Sequence, residues 1–269
     1  MTCARLSAEC DKLSVAHVCV FSVMRCGDRF AQLAEWLSPE ERARADRFLK
    51  EADQKRFILG RASVRCLGGA YLGIEPARVQ LDQASAGKPY IANPVPANRD
   101  RFEFNVAHSG DCVLVAWTRA KAVGADVEAL ERSTPALFGD ALDGIFSDAE
   151  RVALCAAKQD EVAATFYRIW VRKEAVLKAE GCGIGGLSPS LSVIHRHASR
   201  TEWLDEVEYP ESGRRWRIVD FIPAPDHIAA LALPPGTILR QSRPDEIGSL
   251  SCTLVEAIQG GAKFLDRIL

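Results

Sequence analysis

Ser38-Pro39-Glu40-Glu41-Arg42 decides the fold of this chain, because a weaker copy of it follows as Ser147-Asp148-Ala149-Glu150-Arg151. Each stretch has the marks of a helix start: a serine that can cap the helix, and acidic residues in the first turn. Pro39 suits the first helical position, and Glu41 is placed to close a capping box with Ser38. Two copies of one start signal indicate an internal duplication.

The elements after each start also repeat. A helical run over Glu51–Tyr71 ends near Gly73, and a second over Asp160–Ala179 ends at Cys182-Gly183. Strand-like segments accompany both runs: Val15–Val23, Phe102–Val106, Cys112–Trp117 and Ala122–Val127 in the first half, and Leu191–His195, Arg215–Phe221 and Ile228–Leu233 in the second.

The sequence therefore predicts an α+β fold of two similar halves related by a pseudo-twofold axis. Each half is expected to be a small, mostly antiparallel sheet packed with helices, and their interface is a favourable place for a ligand site. We place the N-terminal half at 1–125 and the C-terminal half at 126–235. Residues 236–269 form an extension of unknown role, which includes an amphipathic helix over Leu250–Leu269.

Composition describes an ordinary globular protein. The 269 residues carry 34 Lys+Arg against 36 Asp+Glu, a net charge of −2, which does not favour general binding to nucleic acid or membrane surfaces. Nine widely spread cysteines without a C-x-x-C pair disfavour structural zinc and favour buried free thiols in a reducing compartment. Without an export signal or an apolar run of about 20 residues, the chain is expected to be soluble and cytoplasmic.

Polar residues concentrate first in Gly124-Ala125-Asp126-Val127-Glu128, at the end of an apolar strand. Asp126 and Glu128 are two residues apart on a strand, so they share one face and repel each other unless a cation lies between them. Oxygen ligands and a phosphate-bearing substrate favour Mg²⁺. A solvated strand end is the alternative interpretation of this pair.

Two further segments stand out. Glu174 and Lys178 share one helix face at the i, i+4 spacing, where they could serve as a base beside a phosphate-binding lysine or form an ordinary surface salt bridge. In Phe104-Asn105-Val106-Ala107-His108-Ser109-Gly110, His108 stands where a strand enters a tight turn. Its function could be structural or catalytic.

Taken in order, these segments resemble the Sfp-type 4′-phosphopantetheinyl transferases. The matching pieces are Ser38-Pro39-Glu40, Gly60-Arg61-Ala62, Gly87-Lys88-Pro89, Phe104 to Ser109, Gly124 to Glu128, and Trp170 with Lys173-Glu174-Ala175 and Lys178. Any one piece is common, whereas the ordered set is specific. The resemblance implies transfer of the phosphopantetheine arm of coenzyme A to a serine of an apo acyl, peptidyl or aryl carrier protein, with release of 3′,5′-ADP.

The resemblance also implies roles for individual residues. Mg²⁺, or Mn²⁺ in its place, would be held by Asp126, Glu128 and Glu174. Glu174, Lys178 and His108 would be catalytic: a base, a group that steadies or protonates the leaving phosphate, and a hydrogen-bond donor to the pyrophosphate. Coenzyme A, the co-substrate, would be bound by a larger set: Arg56, Arg61, Lys88, Pro89, His108, Asp126, Lys173 and Lys178.

Two points remain open in this comparison. Many members have a serine where this chain has Ala107, so one hydrogen bond to the coenzyme is expected to be missing, worth about 0.5–1.5 kcal/mol. Other possibilities are a non-catalytic module that binds coenzyme A or the carrier, and a different metal-dependent phosphoryl or nucleotidyl transferase. We expect a monomer, with the carrier docking on apolar and basic residues near the junction: Leu137, Phe138, Phe146, Arg132 and Arg151.

Overall fold

The computed structural model describes residues 15–85, 87–95, 97, 99–130, 144–197 and 200–241. Its helices are α1 (Val23–Cys26), α2 (Phe30–Ala34), α3 (Pro39–Ala45), α4 (Glu51–Leu72), α5 (Asp148–Ala156) and α6 (Val162–Glu180), with short 3-10 turns at Gly27–Arg29, Pro76–Arg78 and Ile184–Gly186. Its strands are β1 (Val15–Ser22), β2 (Leu81–Gln83), β3 (Pro89–Ile91), β4 (Phe102–Ser109), β5 (Cys112–Arg119), β6 (Gly124–Ala129), β7 (Ile194–His197), β8 (Arg200–Trp203), β9 (Glu206–Glu208), β10 (Arg215–Phe221), β11 (His227–Leu233) and β12 (Ile238–Gln241).

Two four-stranded sheets confirm the predicted α+β architecture. The first has the order β12-β1-β5-β4 and the second β6-β11-β10-β9, with a helix packed on each: α4 on the first and α6 on the second. All neighbours in the two sheets are antiparallel except β1 and β12, which run parallel. Two-stranded ribbons β2-β3 and β7-β8 complete the described strands.

The duplication extends to individual side chains. Ser38 with Glu41, and Ser147 with Glu150, each close a full capping box at the start of α3 and α5. The glutamate of each box then pairs with a cation on the following long helix: Glu41 with Arg65 at 2.7 Å, and Glu150 with Lys173 at 3.0 Å. The helix-start signal is therefore also the anchor that fixes α4 and α6.

The two halves meet through an apolar layer between the sheets. Alternate side chains of a strand point to opposite faces, so Cys19 and Phe21 of β1 pack towards α4, whereas Val18 and Val20 face the second sheet. Ala107 of β4 and Leu114 of β5 lie on the same side of the first sheet as these two valines, and Val127 of β6 and Leu231 of β11 lie across the interface. Burial of this layer holds the halves together.

The domain boundaries need correction. The predicted boundary at residue 125 falls inside β6, which pairs with β11 in the second sheet, so Gly124 and Ala125 belong to the C-terminal half. The predicted extension returns to the first half, since Ile238–Gln241 pair with β1. The helix predicted over Leu250–Leu269 lies outside the described residues.

Only two of the five predicted carrier-docking residues, Phe146 and Arg151, lie within the described part of the chain. Phe146 is 1% exposed and stacks on Phe166, so it belongs to the core and the docking assignment for it is wrong. Arg151 is partly exposed beside Asp148. The remaining predicted docking residues, Arg132, Leu137 and Phe138, lie outside the described residues.

The cysteines largely match their predicted state. Among the described residues, Cys19, Cys26, Cys66 and Cys112 are buried free thiols, and burial raises the pKa of Cys26 to about 11. Cys155 and Cys182 are exposed. Within the described ranges, none of the helices has the length and apolar character needed to cross a membrane.

Candidate active site

Strand β6 lies directly against helix α6 at Gly124. A Cβ atom on this glycine would lie 1.9 Å from the carbonyl oxygen of Ala175 and 2.5 Å from the amide nitrogen of Ala179. Only glycine permits such an approach of two backbones. Asp126 and Glu128 follow on the same face of β6 as Gly124. The contact therefore places them beside Glu174, which precedes Ala175 on the helix.

The three predicted metal ligands influence one another at this point. Burial is the main cause that raises the pKa of Asp126, Glu128 and Glu174. The Asp126 carboxylate raises the pKa of both glutamates further, and Glu174 does so for Glu128. The predicted i, i+2 pair on one strand face is thus present, joined by a third carboxylate from α6.

Two oxygens of this cluster fit a cation. Asp126 Oδ2 and Glu174 Oε1 are buried, and neither has a hydrogen-bond partner among the described residues. Carboxylate oxygens without partners, close to other negative charges, are suited to a hard divalent ion such as Mg²⁺. The carboxylates do not yet surround one point: among the described residues, no three His, Cys, Asp or Glu side chains are close enough together to hold a metal ion.

Lys178 supplies the positive charge that faces the carboxylates. Its Nζ lies 2.5 Å from Asp126 Oδ1, and its charge lowers the pKa of all three acidic groups against the effect of burial. The sequence predicted that Lys178 and Glu174 share a helix face, and the direct partner of Lys178 is Asp126 on β6. A cation is therefore already part of the site.

A cavity of about 230 Å³ opens on the first half, next to His108. Its basic residues are Arg44, Arg56 and Arg61, and the predicted Gly87 and Pro89 line it as well. The guanidinium groups of Arg44 and Arg61 lie 5.1 and 5.5 Å from the centre of the Phe57 ring. Guanidinium groups held this way match the paired oxygens of phosphates.

Arg44 was missed by the sequence analysis. The chain has 34 Lys+Arg, and an arginine in a charged helix gives no local sign of the cavity it faces. Its position in the last turn of α3, on the side of Phe57, becomes visible only when α3 and α4 are packed.

His108 lines the cavity and is influenced by the charge of Lys178, the partner of Asp126. Partial burial lowers the pKa of His108, and the positive charges of Arg56 and Lys178 lower it further. Arg56 itself donates to the carbonyl oxygen of Gly110 at 2.6 Å and pairs with Asp53. The surroundings of the imidazole, with an arginine of the first half and a lysine of the second, therefore favour its neutral form.

Two predicted coenzyme ligands, Lys173 and Lys88, do not line the cavity. Lys173 is fully buried, paired with Glu150, and donates to the carbonyl oxygens of Ile145, Ser188 and Leu191, so its assignment as a coenzyme ligand is wrong. Lys88 is partly buried and donates to the carbonyl oxygen of Val123 at 3.2 Å, at the junction of the halves.

Ala107 also departs from its predicted setting. It is 3% exposed and packs in the apolar layer between the sheets, on the strand face opposite His108. The methyl group therefore contributes to the interface between the halves and does not line the cavity.

Comparison with known proteins agrees with this division into halves. Residues 25–120 match the family model "4′-phosphopantetheinyl transferase, N-terminal", and residues 122–232 match the model of the 4′-phosphopantetheinyl transferase superfamily. The boundary between the matches falls just before β6, where the structure divides the chain.

Individual relatives are similar over much of their length. The chain is 34% identical to the 4′-phosphopantetheinyl transferase HetI of Nostoc over 75% of this chain and 80% of that protein. It is 31% identical to the 4′-phosphopantetheinyl transferase of Bacillus subtilis, over 58% of this chain and 66% of that protein. An L-aminoadipate-semialdehyde dehydrogenase-phosphopantetheinyl transferase of Xenopus laevis is 27% identical over 89% of this chain and 85% of that protein. With both halves matched by models of this family and a relative 34% identical over three quarters of the chain, the chain belongs to the 4′-phosphopantetheinyl transferase superfamily.

Proposed function

We propose that this protein transfers the 4′-phosphopantetheine arm of coenzyme A to a serine hydroxyl of an apo carrier protein and releases 3′,5′-ADP, in a Mg²⁺-dependent reaction. The observation that carries the proposal is the junction itself. Buried carboxylate oxygens of Asp126 and Glu174 have no partners among the described residues. Lys178, which pairs with Asp126, also acts electrostatically on His108, which lines a cavity with three arginines. Family membership supplies the class of reaction, and this junction supplies the charges that it needs.

Binding is the first task of these residues. Arg44, Arg56 and Arg61 would hold the phosphates of the adenosine part, and His108 would donate a hydrogen bond to the pyrophosphate. Asp126, Glu128 and Glu174 would hold Mg²⁺, which when bound neutralises charge on the pyrophosphate. Lys88 at the junction would assist from the side of Val123.

The transfer step moves one phosphoryl group. The serine oxygen attacks the β-phosphorus, and the bond from that phosphorus to the oxygen bridging the α-phosphate breaks. Glu174, whose raised pKa suits a base, would accept the serine proton. Lys178 would stabilise the negative charge that develops on the departing 3′,5′-ADP.

Setting and partners complete the proposal. The carrier is an apo acyl, peptidyl or aryl carrier protein, and neither nucleic acid nor a membrane is required. We place the reaction in the cytoplasm, with which buried free thiols are compatible. We take the monomer as the working unit, since the carboxylates, Lys178 and the cavity all come from one chain.

The test incubates the purified full chain with coenzyme A, Mg²⁺ and a panel of apo carrier proteins, followed by intact-mass measurement of each carrier. The expected result is a mass increase of one phosphopantetheine arm on at least one carrier, lost in Glu174→Gln. Binding of coenzyme A without transfer to any carrier would favour a binding module. Dependence on ATP in place of coenzyme A would indicate another phosphoryl transferase.

A further inference from the structure

Ser109, the last residue of β4, reaches from the first half to a proposed metal ligand of the second half. Its hydroxyl oxygen lies 2.8 Å from Glu128 Oε2 and 3.0 Å from the backbone nitrogen of Ala129. Both partners belong to β6. The sequence analysis quoted Ser109 only as a member of a motif and gave it no function.

The direction of these two hydrogen bonds follows from the groups involved. The backbone N–H of Ala129 can only donate, so the Ser109 hydroxyl accepts there. The single hydroxyl proton is then available for Glu128 Oε2, to which it is donated. One carboxylate oxygen of Glu128 is thereby committed to the protein, which fixes the plane of the carboxylate and leaves Oε1 for a ligand.

The backbone of Ser109 also contacts the second half. His227, the first residue of β11, places Nε2 at 3.2 Å from the carbonyl oxygen of Ser109 and Nδ1 at 2.7 Å from that of Pro225. Gly110 has a φ of +53°, and a Cβ there would lie 2.8 Å from His227 Nε2. The imidazole is thus packed closely against the turn that carries Ser109.

We propose that Ser109, held by His227, is a positioning residue that orients Glu128 towards the divalent cation. This inference rests on the proposed function for the identity of the site, and it adds a dependence of cation affinity on the junction between the halves. The groups that orient a ligand of a metal typically change its affinity by about 10- to 100-fold when they are removed.

The experiment measures cation binding apart from catalysis. Mn²⁺ is titrated into the full-length protein without coenzyme A, and free Mn²⁺ is followed by electron paramagnetic resonance. Ser109→Ala should weaken binding about 10-fold, and Ser109→Thr, which keeps the hydroxyl, should restore it to within about 3-fold of the original protein. His227→Ala should weaken binding in the same direction, because it removes the ring that packs against the turn carrying Ser109.

A matched control removes an equivalent hydrogen bond elsewhere. Ser212 donates to Glu180 Oε1 at 3.0 Å, beyond the carboxylate cluster, so Ser212→Ala should leave Mn²⁺ affinity unchanged. In the transfer assay, Ser109→Ala should raise the KM for Mg²⁺ with kcat at saturating Mg²⁺ within about 2-fold. Its KM for coenzyme A should stay near the original value.

Several results would overturn the proposal. It fails if the original protein does not bind Mn²⁺, if Ser109→Ala binds Mn²⁺ within 2-fold of it, or if Ser212→Ala weakens binding equally. If Ser109→Ala does not fold, equal Mn²⁺ affinity of His227→Ala and the original protein overturns it. Absence of transfer to every carrier together with weaker Mn²⁺ binding in Ser109→Ala would reject the proposed function and leave this inference standing.

Discussion

Lys173 and Glu150 form an ion pair, 3.0 Å from Nζ to Oε2, in which neither side chain has any exposed surface. Glu150 also accepts from the backbone nitrogens of Ser147 and Val193, so one carboxylate joins the start of α5, helix α6 and the chain before β7. Arg65 and Glu41 repeat the arrangement in the first half. The residue beside the proposed base is therefore an anchor of the helix that carries it.

Lys173→Ala should destabilise the protein by about 3–5 kcal/mol, because it leaves the Glu150 carboxylate buried without its counter-charge. Chemical denaturation measures this free energy of unfolding. Lys158→Ala is the control: its side chain is 79% exposed beside Glu161, so it should change neither stability nor transfer activity appreciably. If Lys173→Ala has normal stability and a raised KM for coenzyme A, Lys173 binds the coenzyme and is not an anchor of the helix.

Gly124→Ala should yield little folded protein. A methyl group would overlap the carbonyl oxygen of Ala175, and both atoms belong to rigid backbone, so β6 and α6 must separate. We expect a loss of more than about 3 kcal/mol, measured by thermal unfolding and by the yield of soluble protein. Gly73→Ala is a useful comparison. There a Cβ meets no atom within 4 Å, and only the φ of +75° is unfavourable, so the loss should be near 1 kcal/mol.

Glu174→Gln should stabilise the metal-free protein. Burial, and the charge of Asp126, raise the pKa of Glu174 above its usual value. The unfolded chain releases this proton at a lower pH than the folded protein does. Stability is therefore lost as the pH rises from the usual glutamate pKa through the raised one.

Glutamine removes this loss, so the Tm of metal-free Glu174→Gln should exceed that of the original protein by about 1–4 °C near neutral pH. The difference in Tm should disappear in acid, where Glu174 is protonated in both the folded and the unfolded protein. A lower Tm at neutral pH would show that the carboxylate is stabilised in the metal-free protein. Added Mg²⁺ should raise the Tm of the original protein and have little effect on the variant.

His108 should titrate below the usual histidine range, and an anion should raise its pKa. Partial burial and the charges of Arg56 and Lys178 lower the pKa in the free protein, whereas a pyrophosphate favours the imidazolium. Binding should then tighten a few-fold as the pH falls from about 8 to about 6. Dephospho-coenzyme A suits the measurement, because its pyrophosphate diester does not titrate near neutral pH. Calorimetry should show that the affinity of His108→Gln depends less on pH than that of the original protein. Identical pH profiles of affinity would show that His108 does not contact the pyrophosphate.

Arg44→Gln should raise the KM for coenzyme A about 10-fold, with kcat nearly unchanged, because a charge-assisted contact to phosphate is lost. If Arg44 serves the 3′-phosphate, the KM for dephospho-coenzyme A should change much less. Arg47→Gln is the matched control, since Arg47 is exposed three residues farther along and does not line the cavity. Equal effects of both variants would indicate general attraction by positive charge.

The sequence by itself determined the elements and their repetition. Capping boxes at Ser38 and Ser147, the extent of the long helices and the shared face of Asp126 and Glu128 depend on residues only a few positions apart. Local backbone geometry settles such relationships whatever the rest of the chain does. The family motifs extended this prediction to the candidate site, since the ordered pieces carried its acidic and basic groups.

Tertiary structure alone decided which partner each charged group meets. Lys178 contacts Asp126, 52 residues away in the chain; Lys173 is buried against Glu150; and Ser109 reaches Glu128 across the junction. The lysines at 173 and 178 look alike in the sequence. One enters the core and the other the site because successive residues of a helix point about 100° apart, and the packing of α6 on β6 at Gly124 determines what each direction meets.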